Sequence, residues 1–181
     1  MPASEKALSA IDRNRVIRLI DEHRKDWSLQ QPFYLDPDIF ELERQVWFPR
    51  QWVTVAHASE LPEKGSYIIR NLFDEEIIVV RFGDGEEDIA AYYNVCTHRG
   101  SRLCVKDGRG RLLVCPYHAW SFRLTGELQT RRDLPEGVDP DELGLHKVPT
   151  KTFGGLVMCG LEASSLPDIE PAADGLTELL R

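Results

Sequence analysis

Apolar and polar positions change their period along this chain. Between residues 5 and 27 the apolar positions recur with helical spacing. Val16, Ile20, His23 and Trp27 share one face, and Arg13, Arg15, Arg18 and Asp21 lie on the others. The spacing predicts an amphipathic helix that packs on this domain, on a partner subunit or on a second domain, with Pro32 ending any continuation. Asp36-Pro37 reads as an N-cap followed by proline at the first helical position. That helix should run to about Trp47, stopped by Pro49, with Ile39, Phe40, Val46 and Trp47 facing inward. From Trp52 the pattern shortens to β segments. Trp52–His57, Gly65–Arg70, Glu76–Phe82 and Ile89–Asn94 are strand candidates, and Gly83-Asp84-Gly85 is a hairpin turn between the last two. A second hairpin is expected to turn at 107–110 and return along Arg111–Val114, and a third to run over Phe122–Gln129 about Thr125-Gly126. Leu145–Pro149 and Phe153–Leu161 complete the strands; linker composition follows Leu161, and 174–181 should open another helix. The fold class expected is mainly β, small antiparallel sheets preceded by one or two N-terminal helices. The organisation expected is a helical lead-in over 1–50, a β domain over 51–162 and a linker segment over 163–181.

Composition narrows the function classes. The chain has 181 residues, which suits one domain with a proper core and extra terminal segments. With 42% hydrophobic and 29% charged residues it is of ordinary globular type, and a net charge of −8 argues against nucleic acid as a partner. The acidic surface reads as a solvated, solubilising face, with docking of a redox partner as the second possibility. Apolar runs such as Ile77–Val80 and Leu112–Val114 are far too short to span a membrane, and the first residues lack the apolar core of a signal peptide. The expectation is a cytoplasmic protein whose thiols stay reduced.

The chemistry concentrates between residues 96 and 118. Cys96-Thr97-His98 and Cys115-Pro116-Tyr117-His118 supply two thiolates and two imidazoles from two separate short segments. Gly100 follows the first pair and Pro116 sits inside the second, both residues of bent backbone. A Rieske [2Fe–2S] centre takes this set, two Cys on one iron and two His on the other. Thiolates suit the iron that stays ferric. Neutral imidazoles lower the negative charge around the iron that accepts the electron, which makes reduction easier. A structural zinc site accepts the same four ligands, but a zinc finger places both Cys in one arm and both His in a helical arm, whereas each arm here carries one of each. The two remaining thiols, Cys104 and Cys159, read as buried small side chains, and His23, His57 and His146 as surface or hydrogen-bonded core histidines.

Val95-Cys-Thr-His-Arg-Gly100 and Cys115-Pro-Tyr-His-Ala-Trp120 resemble the Rieske domain of the large α subunits of Rieske non-haem iron oxygenases. The likeness covers roughly residues 30–162 and takes in Phe33-Tyr34, Asp36–Trp47, Trp52, Gly65 and Gly144–Gly160. Arg99-Gly-Ser-Arg-Leu103 is similar to the branch that acts on quaternary ammonium compounds. Respiratory Rieske proteins place an extra disulfide at positions held here by Ser101 and Tyr117, so the chain departs from that type. The resemblance implies that Cys96, His98, Cys115 and His118 bind the cluster. It also implies that Arg99, Tyr117 and Trp120 shield or support it, with plain structural support an equal reading for Arg99 and Trp120. It further implies a reductase or ferredoxin as electron donor, an exit through His118, and commonly trimeric assembly. The family's second metal, a mononuclear Fe(II) held by two nearby His and a carboxylate, finds no such pair among the five histidines of this sequence. The expected function is therefore electron transfer to a catalytic domain or subunit elsewhere, residues 163–181 beginning the link to it. The alternative is a free Rieske ferredoxin.

Overall fold

The computed structural model describes residues 12–85, 87–130, 137 and 139–169; the expected helix at 174–181 and the first residues of the one expected from residue 5 lie outside them. The chain divides into two compact units, Met1–Gln51 and Trp52–Arg181.

The first unit carries the helices. Asp12 caps α1 (Arg13–Asp21), its carboxylate accepting the Arg15 N–H at 3.2 Å. The helix stops six residues short of Trp27. Residues 21–26 hold no aliphatic side chain that could anchor another turn, and Asp26 takes a left-handed φ of 66°. Val16 and His23 are half-buried, while Ile20 and Trp27 are 57% and 69% exposed. Pro32, expected only as a stop, opens the one-turn helix α2 (Pro32–Leu35). Asp36 then caps α3 (Pro37–Leu42), accepting the Asp38 N–H at 3.0 Å, and an ion pair to Arg15 further holds its carboxyl below the usual carboxylate range. The helix continues to Trp47 as expected, but its last five residues, Glu43–Trp47, widen to π geometry. Ile39 is buried, whereas Phe40 and Trp47 are exposed and pack edge-on or tilted against Phe48.

The second unit is three antiparallel sheets, so the fold class is mainly β. The middle sheet has the order β5-β2-β3-β4-β9, built from β2 (Ser66–Leu72), β3 (Glu75–Arg81), β4 (Ile89–Tyr93), β5 (Gly108–Arg109) and β9 (Lys147–Val148). Alternate residues of β3 enter different cores. Ile77 and Val79 meet Ala56, Val157 and Cys159 of the sheet formed by β1 (Val53–His57), β11 (Leu156–Cys159) and β10 (Thr150–Phe153). Ile78 and Val80 meet Leu113 and Phe122 of the sheet formed by β6 (Leu112–Val114), β7 (Ser121–Arg123) and β8 (Leu128–Thr130). A strand buried on both faces needs apolar residues at every position, and that is why Ile77–Val80 reads as an unbroken run.

Two expectations are corrected. Residues 108–109 do not turn a hairpin onto 111–114; they pair with Ser66 and Tyr67 at the edge of the middle sheet, while β6 crosses to pair with β7. The last apolar stretch is a hairpin, β10 and β11 about Gly154-Gly155, with Thr150 opposite Cys159. Both Cys104 and Cys159 are buried free thiols pushed up to about 11 by burial. Among the described residues no helix is long and apolar enough to cross a membrane.

Ile78 is fully buried between two sheets, so Ile78→Ala should lower the unfolding free energy by about 3 kcal/mol. Ile20→Ala, on an exposed helix face, should stay within about 0.5 kcal/mol. Denaturant titration of the two variants compares them; equal losses would contradict this layering.

Candidate metal centre

Two turns of the same construction face each other. In the first, the Cys96 N–H donates to Ser101 C=O at 2.8 Å and the Gly100 N–H to Cys96 C=O at 2.9 Å. In the second, the Cys115 N–H donates to Trp120 C=O at 2.8 Å and the Ala119 N–H to Cys115 C=O at 3.0 Å. The fourth residue after each cysteine is left-handed, Gly100 at φ 68° and Ala119 at φ 58°. The sequence explains the first, where glycine carries no Cβ penalty. At Ala119 the turn holds an alanine in a conformation that costs it about 1 kcal/mol.

Each turn aims two backbone N–H groups at its own sulfur. Those of His98 and Arg99 point to Cys96, and those of Tyr117 and His118 point to Cys115. Both thiols are buried, unbonded, and in hydrogen-bond contact with each other. Burial pushes the Cys96 thiol up. Burial acts the same way on Cys115, but the Tyr117 and His118 N–H groups, the Cys96 thiol and the Ser101 hydroxyl outweigh it and hold Cys115 below the ordinary thiol value. One sulfur of the pair thus yields its proton more readily than the other.

The imidazoles stand on the same two turns. The His98 and His118 rings are 4.8 Å apart, edge to face. Trp120, only 3% exposed, stacks on His98 at 4.4 Å with an 8° interplanar angle. Tyr117, 62% exposed, tilts over His118 at 3.8 Å. The Nδ1 atom of His118 is buried and has no hydrogen-bond partner. A buried ring nitrogen without a partner is costly unless something binds it. Two buried, donor-ringed sulfurs and two adjoining imidazoles, carried by the same pair of turns, are a donor set that fits a [2Fe–2S] group. Among the described residues no three His, Cys, Asp or Glu side chains converge as ligands of one metal ion. A ligand set divided two and two over a pair of irons requires no such convergence.

The two cysteines therefore meet each other, and so do the two histidines. Trp120, whose carbonyl closes the second turn, stacks on the histidine of the first. Arg99 contributes its backbone N–H, while its guanidinium is exposed. Residues to which the sequence assigns no role at the sulfurs also take part. Ser101 reaches the opposite turn's sulfur, Thr97 donates its hydroxyl to Leu143 C=O at 2.7 Å, and Asn94 braces the base of the first turn. No residue type or spacing marks them; only the folded turns give them partners. Of the other histidines, His57 is exposed, accepting the Ser59 N–H at 3.3 Å, and His146 is exposed.

The profile of the Rieske [2Fe-2S] domain family matches residues 51–150. The oxygenase subunit of glycine betaine monooxygenase from Chromohalobacter salexigens is 39% identical over 176 residues, covering 93% of this chain and 38% of that subunit. The oxygenase subunit of carnitine monooxygenase from Escherichia coli is 35% identical over 80% of this chain and 40% of its own length. A solved quaternary ammonium Rieske monooxygenase in complex with L-carnitine superposes with a TM-score of 0.72 at 32% identity, covering 82% of this chain and 42% of that one. Naphthalene 1,2-dioxygenase from Rhodococcus sp. bound to indole superposes with a TM-score of 0.78 at 26% identity, covering 93% of this chain and 39% of that one. This chain spans about two-fifths of the length of these relatives.

A Cβ added at Gly100 meets nothing within 4 Å, so Gly100→Ala should cost only the left-handed backbone penalty, about 1 kcal/mol. Ala119→Gly, at the equivalent place, should leave stability within about 1 kcal/mol of the parent. Thermal unfolding of both variants measures this. A loss above about 3 kcal/mol for Gly100→Ala would mean a contact the turn does not show.

Proposed function

This chain belongs to the Rieske [2Fe-2S] domain family, and on that premise we propose that Cys96 and Cys115 hold one iron of a [2Fe–2S] cluster and His98 and His118 the other. Such a cluster accepts and releases one electron at a time. The observation that carries the assignment is His118 Nδ1, buried without a partner in a ring that adjoins that of His98. The chain's own residues do the rest. The N–H groups of His98, Arg99, Tyr117 and His118 stabilise negative charge on the two sulfurs. Leu103, Leu113 and Phe122 pack around the two cysteines and exclude water. Trp120 fixes the plane of His98. His118, with only the exposed Tyr117 over it, is the ring through which an electron leaves.

The chain's relatives are oxygenase subunits. A reductase or ferredoxin is the proposed donor. The proposed acceptor is a mononuclear iron, held by two histidines and a carboxylate outside the residues seen here, in an assembly that is trimeric as the family commonly is. The five histidines of this sequence leave no pair for that second site. The substrate class proposed for the whole oxygenase is quaternary ammonium compounds. This rests on the likeness to subunits named for glycine betaine and carnitine, and on the segment Arg99–Leu103.

Three measurements test these readings. Cys115→Ser should abolish the visible absorption of the purified protein. His118→Cys should keep a cluster and lower its reduction potential, because an anionic ligand replaces a neutral one; an unchanged potential would remove His118 from the ligand set. Protein isolated from its own cells with whatever binds it should hold about one iron more than labile sulfide per cluster. Equal amounts would instead make it a carrier of the ferredoxin kind.

A further inference from the structure

The two turns are alike inside and different at their bases. The second closes onto a ladder, since Val114 pairs with Ser121 at the end of β6–β7 and two more pairs lie behind. The first has only an isolated bridge, Val95 to Arg102. In place of a ladder it has a side chain. Asn94 is 2% exposed, and every polar group of its amide is used. Its Oδ1 accepts the Leu103 N–H at 3.1 Å and the Cys104 N–H at 2.7 Å. Its Nδ2 donates to Cys104 C=O at 2.7 Å and to Glu76 Oε1 at 2.5 Å. The backbone joins in, Asn94 N–H to Glu76 C=O at 2.8 Å and Leu103 N–H to Asn94 C=O at 3.3 Å. Glu76 is held in turn by Arg102, whose Nε donates to Oε1 at 2.7 Å and whose Nη2 pairs with Oε2. Glu76 stands on β3 and Arg102 on the returning arm of the turn, so the triad fastens both arms to the middle sheet.

We propose that Asn94 is a positioning residue for the metal centre, oriented by the Glu76–Arg102 pair, and that it sets the reduction potential by holding the first turn closed around Cys96. The inference rests on the cluster assignment above. The physical link is short. The two N–H groups that reach the Cys96 sulfur belong to His98 and Arg99, inside the span that Asn94 closes. Hydrogen bonds to cluster sulfurs favour the reduced, more negative state. A looser base lengthens those bonds, lowers the potential and lets His98 adopt a spread of orientations. No other side chain offers two acceptor contacts and two donor contacts at the size of asparagine. A carboxylate there would set its oxygens against Cys104 C=O and Glu76.

The test is Asn94→Ala in the full chain, with reduction potential, low-temperature electron paramagnetic resonance and cluster-loss rate as readouts. Alanine adds no charge, so a shift reports geometry. The expected result is a lower potential, broader resonance lines and about tenfold faster cluster loss. A lower melting temperature with unchanged potential and line width would overturn the proposal, since plain structural support moves only the first. Should Asn94→Ala fail to fold, Asn94→Ser decides. It keeps one oxygen for the loop N–H groups and should show a smaller fall in potential, and an unchanged value there would overturn the proposal equally. Parent protein without a Rieske-type spectrum would defeat the cluster assignment itself. Parent protein with that spectrum, beside variants of unchanged potential and line width, would defeat only the role of Asn94.

Discussion

Burying two sulfurs side by side is costly unless hydrogen-bond donors meet their charge, and the second unit is arranged around that requirement. The donors are backbone N–H groups, which only a tight turn can aim at its own first residue. Each cysteine therefore heads a turn with a left-handed fourth residue, Gly100 in one and Ala119 in the other. Turns of this kind have no stability of their own. They are held at their bases, the first by the bonds of Asn94 to Glu76, Leu103 and Cys104 and the second by the Val114–Ser121 pair of the outer sheet. The core formed by Ile78, Val80, Leu113 and Phe122 joins those two sheets and so fixes the distance between the turns. Packing in the core and geometry at the sulfurs are one problem.

Much of this arrangement is readable in the sequence, for identifiable reasons. The unbroken run Ile77–Val80 announces a strand covered on both faces, and Gly83-Asp84-Gly85 announces the hairpin to β4. The paired spacings of Cys96 with His98 and Cys115 with His118 announce two turns and their chemistry. Where the reading fails, pairing partners lie far away in the chain. Gly108 and Arg109 look like a local turn but are claimed by β2, some forty residues earlier. The helix expected to reach Trp27 ends at Asp21, because periodicity reports that one side is apolar and not where the helix stops. Asn94 and Ser101 are invisible in sequence because their roles consist wholly of partners brought together by the turns.

The two imidazoles carry different covers. His98 lies flat against the buried Trp120, which immobilises it, whereas His118 lies under the exposed Tyr117. The backbone N–H groups of Tyr117 and His118, with smaller help from the Cys96 thiol and the Ser101 hydroxyl, hold Cys115 at the lower thiol pKa of the pair.

The central claim is that two turns deliver two sulfurs and two imidazole nitrogens to one cluster. Pulsed electron paramagnetic resonance of the reduced protein tests it most directly, because nitrogen bound to iron couples to the unpaired electron. The account predicts two strongly coupled nitrogens in the parent and one in His118→Cys. A spectrum without strongly coupled nitrogen, or one unaffected by His118→Cys, would contradict it.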